Sequence, residues 1–204
     1  MHHRNIVRAI MNYKINIVIK VLILSDLLVF TASNLFAPVF AIYIVDQIQG
    51  AGIAEAGIAA AVFMIFKSLF EIPVGIKIDK TKSEKDDLYS ALLGTLLTAL
   101  VYVMYAHIDQ VWQLYGLQAL LGVGAAIAYP GWYKIFTRHI DKDKEGVEWS
   151  LYDVVTGFGM ALSAALGGLI AEKFGFANLY YLVALITLAG SLSLFIIRKK
   201  VFIK

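Results

Sequence analysis

Six long apolar stretches, separated by short polar connections, run through almost the whole chain. They cover roughly residues 17–45, 51–76, 88–106, 111–136, 149–171 and 178–197, and are named spans 1 to 6 in chain order. An α-helix rises about 1.5 Å per residue, so about 20 apolar residues cross a hydrocarbon core about 30 Å thick. The pattern therefore predicts an all-α membrane protein, with residues 1–204 forming one bundle of six transmembrane helices.

The basic residues are distributed unevenly between the two ends of these spans. Sixteen of the eighteen Lys and Arg residues belong to one end, and they are Arg4, Arg8, Lys14, Lys20, Lys77, Lys80, Lys82, Lys85, Lys134, Arg138, Lys142, Lys144, Arg198, Lys199, Lys200 and Lys204. Cationic segments resist translocation, so this end is predicted to be cytoplasmic. We therefore expect a multi-pass protein of the cell (inner) membrane with both termini in the cytoplasm.

Composition agrees with a membrane protein and argues against several other classes. Hydrophobic residues make up 60% of the chain and charged residues 16%, which is far from the balance of a soluble domain. Orientation and anionic lipid headgroups explain the net charge of +3, so we expect the lipid bilayer as a partner and no nucleic acid. Cysteine is absent, and neither an H-E-x-x-H motif nor a Walker loop is visible. We expect neither an enzyme nor a bound metal or cofactor.

The connection after span 2 and the middle of span 4 carry two motif-like segments. The first reads Gly75-Ile-Lys-Ile-Asp79-Lys80, and it resembles the G-x-x-x-D-R/K opening of the signature loop of the major facilitator superfamily. The family's second glycine and basic pair are missing. The second reads Gln118-Ala-Leu-Leu-Gly122-Val-Gly-Ala-Ala, and it is similar to the family's R-x-x-Q-G-x-G-A-A segment, with Gln118 where Arg is usual.

Span 5 carries a third segment of the same kind. It reads Gly159-Met-Ala-Leu-Ser163-Ala164-Ala-Leu-Gly167-Gly168, similar to the family's G-x-x-x-G-P-x-x-G-G, with Ser and Ala replacing Gly and Pro. Three such segments in the family's order identify the chain as resembling one six-helix half of a major facilitator protein. The resemblance implies a secondary transporter that moves a small solute by alternating access. It also implies that Gly75, Asp79 and Lys80 form a cytoplasmic loop latch.

The resemblance further bears on assembly, because a family member has two six-helix bundles related by an axis along the membrane normal. Two copies inserted in the same orientation can take the places of the two bundles, which predicts a C2 homodimer with its axis along that normal. The alternatives are half of a heteromeric transporter and a non-transporting membrane subunit or receptor. A passive channel is a further alternative.

In such a dimer, span 2 of one copy meets span 5 of the other, as the family fold implies. Helices in lipid associate through close backbone contact, which small residues four positions apart permit. Both spans carry such a stripe, and the predicted dimer interface comprises Gly52, Ala56, Ala60, Gly159, Ser163 and Gly167. The alternative is that these residues pack within one copy.

The charged residues expected within the hydrocarbon are Asp26, Lys67, Glu71 and Asp153. Each costs on the order of 3 kcal/mol at a helix centre unless it is paired or hydrated. We expect Lys67 to be neutralised by Asp26, by Glu71 four residues later, or by the partner's Asp153. Three roles remain open for Asp26, namely a structural ion pair, proton or cation coupling, and substrate contact.

Spans 1 and 4 line the central cavity in the resembled family, and both carry suitable side chains here. Hydroxyl, amide, small and aromatic groups that face one void suit a small polar or amphipathic solute. The candidates for such a cavity are Asp26, Phe30, Ser33, Asn34, Gln118, Gly122 and Tyr129. The alternative is that Asn34 and Gln118 bridge helices and that the tyrosines anchor the membrane interfaces. Trp112, Trp132 and Trp149 are interpreted as interface anchors.

Overall fold

The computed structural model describes residues 14–202, and it has six helical spans long and apolar enough to cross a membrane. The six predicted spans of an all-α protein are therefore confirmed. Arg4, Arg8 and Lys204, which contribute to the predicted orientation, lie outside the described residues. We name as the basic end of the bundle the end that carries the connections between spans 2 and 3 and between spans 4 and 5.

Spans 1 and 6 are broken by short 3-10 segments, whereas the other four spans are continuous. Span 1 consists of α-helix Ile17–Phe36, 3-10 segment Ala37–Val39 and α-helix Phe40–Gln47. Spans 2 to 5 are the α-helices Ile53–Asp79, Glu84–Tyr105, Val111–His139 and Glu145–Phe174. Span 6 consists of α-helix Phe176–Ser193, 3-10 segment Leu194–Ile197 and α-helix Arg198–Phe202.

Several helices are longer than their apolar stretches because they begin or end with polar turns. Span 3 begins at Glu84, four residues before the apolar stretch starts at residue 88. Ser83 caps this helix by accepting a hydrogen bond from the backbone N–H of Lys85 at 3.2 Å. Acidic residues in the first turn interact favourably with the helix dipole. Hydropathy detects only the apolar part of such a helix.

The packing of the spans has an internal twofold pattern. Span 1 packs on spans 5 and 6, span 4 packs on spans 2 and 3, and spans 3 and 6 pack on each other. Exchanging span 1 with 4, 2 with 5 and 3 with 6 reproduces the same set of neighbours, as expected of two inverted three-helix repeats. Spans 1 and 4 make few direct contacts with each other, and a space is left between them.

Buried apolar side chains form two clusters, one towards each end of the bundle. The cluster opposite the basic end contains stacked tyrosines, and Tyr43 donates a hydrogen bond from its hydroxyl to the backbone carbonyl of Tyr105 at 2.7 Å. The cluster at the basic end is built around Trp132 and Phe136, whose ring centroids are 4.9 Å apart. The two clusters hold the helices together above and below the space between spans 1 and 4.

The small-residue stripe of span 5 lies against span 1 of the same copy. A Cβ atom added to Gly167 would collide with the backbone carbonyl of Leu35, and one added to Gly159 would collide with the side chains of Leu27 and Thr31. Ser163 is only 2% exposed. These three residues were predicted to face a second copy. In the structure these residues pack within one copy instead, because span 1 already covers the stripe.

The predicted stripe of span 2 is divided among three environments. Gly52 precedes the helix, and its backbone N–H donates to Glu55 Oε2 at 2.7 Å. Ala56 packs against the cluster opposite the basic end. Ala60 is exposed and lies at the edge of the space between spans 1 and 4. Of the six residues in the predicted interface, Ala60 is thus the most accessible to a second copy.

The close contact at Gly167 predicts a sharp difference between two glycines of the same helix. Gly167→Ala forces span 5 away from span 1, and we expect it to destabilise the protein by about 1–3 kcal/mol. Gly157→Ala is the matched control, because open space surrounds that position. It is expected to be neutral or to stabilise by up to about 1 kcal/mol through higher helix propensity. Thermal unfolding in detergent measures both, and equal midpoints for the two variants would contradict the close contact.

Candidate functional site

A cavity of about 500 Å³ lies between spans 1 and 4, with span 3 behind it and span 2 at one side. Its size falls within the roughly 300–1,000 Å³ of typical ligand pockets. Five of the seven residues that the sequence suggested for a cavity line it, and they are Asp26, Phe30, Ser33, Gln118 and Tyr129. The structure therefore brings together residues from two spans that are almost a hundred positions apart in the chain.

The other two suggested residues do not line the cavity. The side-chain amide of Asn34 donates to the backbone carbonyl of Phe30, one turn earlier, at 3.0 Å. Gly122 faces span 2, where an added Cβ would crowd the backbone carbonyl of Phe63 and the amide of Lys67. Asn34 thus satisfies its own helix, and Gly122 allows spans 2 and 4 to approach closely.

Span 3 contributes a wall of the cavity that the sequence analysis did not include. Ala91, Thr95, Thr98 and Tyr102 line it, at the spacing of four, three and four residues that marks one helix face. This spacing is visible in the sequence and was the available signal. Trp132, interpreted above as an interface anchor, is 4% exposed and also lines the cavity, because its ring packs inwards on Phe136.

The carboxylate of Asp26 is held by a hydrogen bond and has no ion-pair partner among the described residues. The hydroxyl of Tyr152, on span 5, donates to Asp26 Oδ2 at 3.0 Å. Tyr152 is itself packed against Trp132, with ring centroids 5.3 Å apart. The aromatic side chains of spans 4 and 5 therefore position the hydrogen bond that orients Asp26.

Lys67 is paired with Glu71 and not with Asp26. Its Nζ lies 3.8 Å from Glu71 Oε2, one turn along span 2, and 4.6 Å from the centroid of the Tyr129 ring. Of the three partners that the sequence suggested for Lys67, the structure places Glu71 next to it. Asp153 is exposed on span 5 and has no ion pair within the described part of the chain. An ion pair together with a cation–π contact reduces the cost of placing Lys67 in a membrane span.

The residues of the suggested loop latch lie at the basic end. Gly75 and Asp79 line a second cleft of about 420 Å³, together with Lys134 and Arg138 from span 4. The Asp79 side chain is 79% exposed, and its Oδ1 is 4.0 Å from Lys134 Nζ. Lys80 is exposed, and its backbone N–H bonds to the Ile76 carbonyl at the end of span 2. The latch residues are thus close together, but they are not tightly bound to each other.

Lys134 is the residue that connects the helices at the basic end. Its Nζ donates to the backbone carbonyls of Ile78 at 2.6 Å and Thr81 at 3.1 Å. It also lies 3.2 Å from Asp87 Oδ1, a fully buried carboxylate near the start of span 3. Lys134 therefore joins the end of span 2, the start of span 3 and span 4. The sequence analysis used Lys134 only as one of the basic residues that indicate the orientation of the chain in the membrane.

Comparison with known proteins gives one family match and several similar proteins. The family model described as Major Facilitator Superfamily matches residues 22–202. The inner membrane transport protein YajR of Escherichia coli is 27% identical over 144 residues, which cover 70% of this chain and 30% of that protein. The proton-coupled antiporter flippase LtaA of Staphylococcus aureus is 27% identical over 134 residues, covering 65% of this chain and 32% of the relative.

A third relative has a name that describes drug export. The multi-drug resistance efflux pump PmrA homolog of Lactococcus lactis is 33% identical over 95 residues, which cover 46% of this chain and 23% of that protein. In all three comparisons the matched part is less than a third of the relative's own length.

The buried pair of Lys134 and Asp87 predicts strongly non-additive substitutions. Lys134→Met leaves the Asp87 carboxylate buried without its nearest cation, and we expect a loss of roughly 3–5 kcal/mol in the free energy of unfolding. The double variant Asp87→Asn with Lys134→Met removes both charges and is expected to recover part of that loss, with a coupling energy of about 0.5–3 kcal/mol. Thermal unfolding in detergent gives the four midpoints of the cycle.

Lys142→Met is the matched control for this cycle, because Lys142 is exposed in the connection between spans 4 and 5. It is expected to change the unfolding midpoint little. Strictly additive effects in the Lys134 and Asp87 cycle would show that the two charges do not stabilise each other.

Proposed function

The chain belongs to the Major Facilitator Superfamily, and we propose that it is a secondary transporter of a small solute. Two copies in the same orientation supply the two six-helix bundles, related by a twofold axis along the membrane normal. The bundles rock about a cavity near the middle of the membrane, which opens alternately to the two sides. Both termini lie in the cytoplasm, because the basic end resists translocation.

The observation that carries this proposal is the incomplete wall of the cavity. Met64 lines the cavity and is nevertheless 57% exposed, and Ala37 and Ala60 at its edge are exposed as well. One bundle therefore surrounds a solute on one side only. A second bundle facing the first across a twofold axis closes the open side and presents every lining group twice.

Spans 2 and 5 provide the surfaces for this contact, since they are the least buried of the six spans. They pack on different helices, span 2 on span 4 and span 5 on span 1. Their outer faces carry large apolar side chains, including Ile65 and Leu69 on span 2 and Phe158 and Leu162 on span 5. These faces replace the small-residue stripe as the proposed interface, with Ala60 at its edge.

The basic end supplies the moving contact in this proposal. Lys134 and Asp87 keep spans 2, 3 and 4 of one copy together as a rigid unit. Asp79 is largely exposed beside them, so its carboxylate can reach across to the second copy when the cytoplasmic side closes. Gly75 and Lys80 complete this latch, as the family resemblance suggests. The relatives named for antiport and efflux support a transport role.

The proposed interface predicts a specific cross-link between two copies. Ile65 lies 14 residues before the end of span 2, and Phe158 lies 13 residues after the start of span 5, so both are about 20 Å from the basic end. Cysteine is absent from the chain, so the variant Ile65→Cys with Phe158→Cys carries the only two thiols. Mild oxidation in membranes is expected to give covalent dimers, as measured by non-reducing electrophoresis.

The matched control pairs Ile65→Cys with Leu188→Cys, which is exposed on the outer face of span 6. Leu188 lies 12 residues after Phe176, as Ile65 lies 12 after Ile53, so the two thiols have similar depth. This pair should stay monomeric. Equal cross-linking of both pairs would reject the proposed interface, and dimers that form only with another six-helix protein would favour the heteromer.

Alternating access predicts that one cavity residue can be reached from both sides of the membrane. We expect Ser33→Cys in proteoliposomes to react with a membrane-impermeant thiol reagent added to either side. Leu93→Cys, exposed on span 3 outside the cavity, is the control, and it should not react because lipid disfavours the reactive thiolate. A dye trapped inside the vesicles must be retained. Labelling from one side only would contradict a carrier, and dye leakage would indicate a channel.

A further inference from the structure

The walls of the cavity are mainly apolar, and Asp26 and Gln118 are among the few polar side chains that line it. Aromatic rings dominate, with Phe30, Phe36, Phe40, Phe63, Tyr102 and Trp132 among them. The hydroxyls of Ser33, Thr95 and Thr98 already donate to backbone carbonyls of their own helices, at 2.8–3.1 Å. A sugar or a peptide needs many polar partners, since buried polar groups without partners are costly. The cavity instead suits a solute with a large apolar surface.

Asp26 gives this apolar cavity a negative charge. Among the described residues that line the cavity, Asp26 is the one with a formal charge at neutral pH. The nearby cation, Lys67, is paired with Glu71 and stacks over the Tyr129 ring. The three formal charges of Asp26, Lys67 and Glu71 therefore sum to −1. A second copy related by twofold symmetry adds an equal negative charge and no lining cation.

The carboxylate of Asp26 is only partly compensated by the protein. Tyr152 donates to Oδ2 at 3.0 Å, and within residues 14–202 no hydrogen bond or ion pair involves Oδ1. A carboxylate in apolar surroundings is costly unless a donor or a cation stabilises it. A solute with a positive charge would supply that stabilisation, and the surrounding aromatic faces attract cations as well.

We infer that the solute is a lipophilic organic cation, bound with its charge near Asp26 and its apolar groups against the aromatic walls. This inference deepens the proposed function by naming the substrate class of the same cavity. Anionic solutes are disfavoured, because the described lining residues include no cation to receive them. Asp26 is thus a binding residue, and Tyr152 positions it by holding one carboxylate oxygen.

Two probes of matched shape and opposite charge test this inference. Tetraphenylphosphonium is a permanent cation, and tetraphenylborate is the anion with the same four phenyl groups. Equilibrium dialysis of radiolabelled tetraphenylphosphonium against the purified full-length chain in detergent, with empty micelles as the blank, gives its dissociation constant. Labelled tetraphenylborate is dialysed in a separate cell, because the two ions pair with each other in solution. A neutral arylphosphine oxide serves as the competitor of the cation.

We expect Asp26→Asn, which keeps the size of the side chain and removes its charge, to weaken tetraphenylphosphonium binding by about tenfold or more. Glu172→Gln is the matched control, since it removes an exposed carboxylate of span 5 outside the cavity, and it should bind as the wild type does. Asp26→Glu retains the charge and should retain most of the binding. The wild type should bind the anion no more than the micelle blank does, and the neutral compound should not displace the cation.

Equal affinity of the wild type and a folded Asp26→Asn for tetraphenylphosphonium would overturn the inference, as would binding of tetraphenylborate to the wild type as tightly as the cation. Size-exclusion chromatography and the unfolding midpoint establish that the variants are folded. If Asp26→Asn does not fold, loss of binding in Asp26→Glu overturns the inference.

The two proposals fail separately. Asp26-dependent binding with labelling of Ser33→Cys from one side only would leave the substrate class standing and reject the transporter. Labelling from both sides without Asp26-dependent binding would support the transporter and reject the substrate class.

Discussion

The structure depends on close backbone contact between helices, because lipid provides no hydrophobic drive that would bring them together. Gly167 lets span 5 reach the backbone of span 1 at Leu35, and Gly122 lets span 4 reach span 2 at Phe63. Spans 1 and 4 thus pack closely on spans 5 and 2 and have few contacts with each other. The space that remains between them is the cavity, so its existence follows from where the glycines permit contact.

The charged residues of the bundle have two different roles, one in holding helices together and one in the cavity. Lys134 and Asp87 form an ion pair at the basic end, and Lys134 also donates hydrogen bonds to two backbone carbonyls, so this group holds spans 2, 3 and 4 together. Asp26 has one hydrogen bond, from Tyr152, and faces an apolar cavity. A charge that the protein compensates incompletely is suited to a ligand, whereas a fully paired charge is suited to holding helices.

Hydropathy was sufficient to predict six spans, because length and apolar composition alone decide whether a helix can cross a membrane. It was not sufficient for the helix ends, such as the polar turn that begins span 3 at Glu84. The family resemblance implied that spans 1 and 4 line the cavity, and Asp26 and Gln118 were suitable residues there. Sequence spacing could not say which neighbour a helix face meets, so Gly167 was placed in a dimer interface, although it packs on span 1. Thr95 was overlooked for the same reason.

The central claim is that a second bundle, inserted in the same orientation, completes the cavity that one bundle leaves open. Electron cryomicroscopy of the chain in lipid nanodiscs measures this most directly, since it gives the number of copies and the direction of the symmetry axis. We expect two copies related by a twofold axis along the membrane normal, with the Asp26 side chains facing a shared central space. A particle with a single copy that exposes its cavity alternately, or a pair related by an axis in the membrane plane, would contradict the claim.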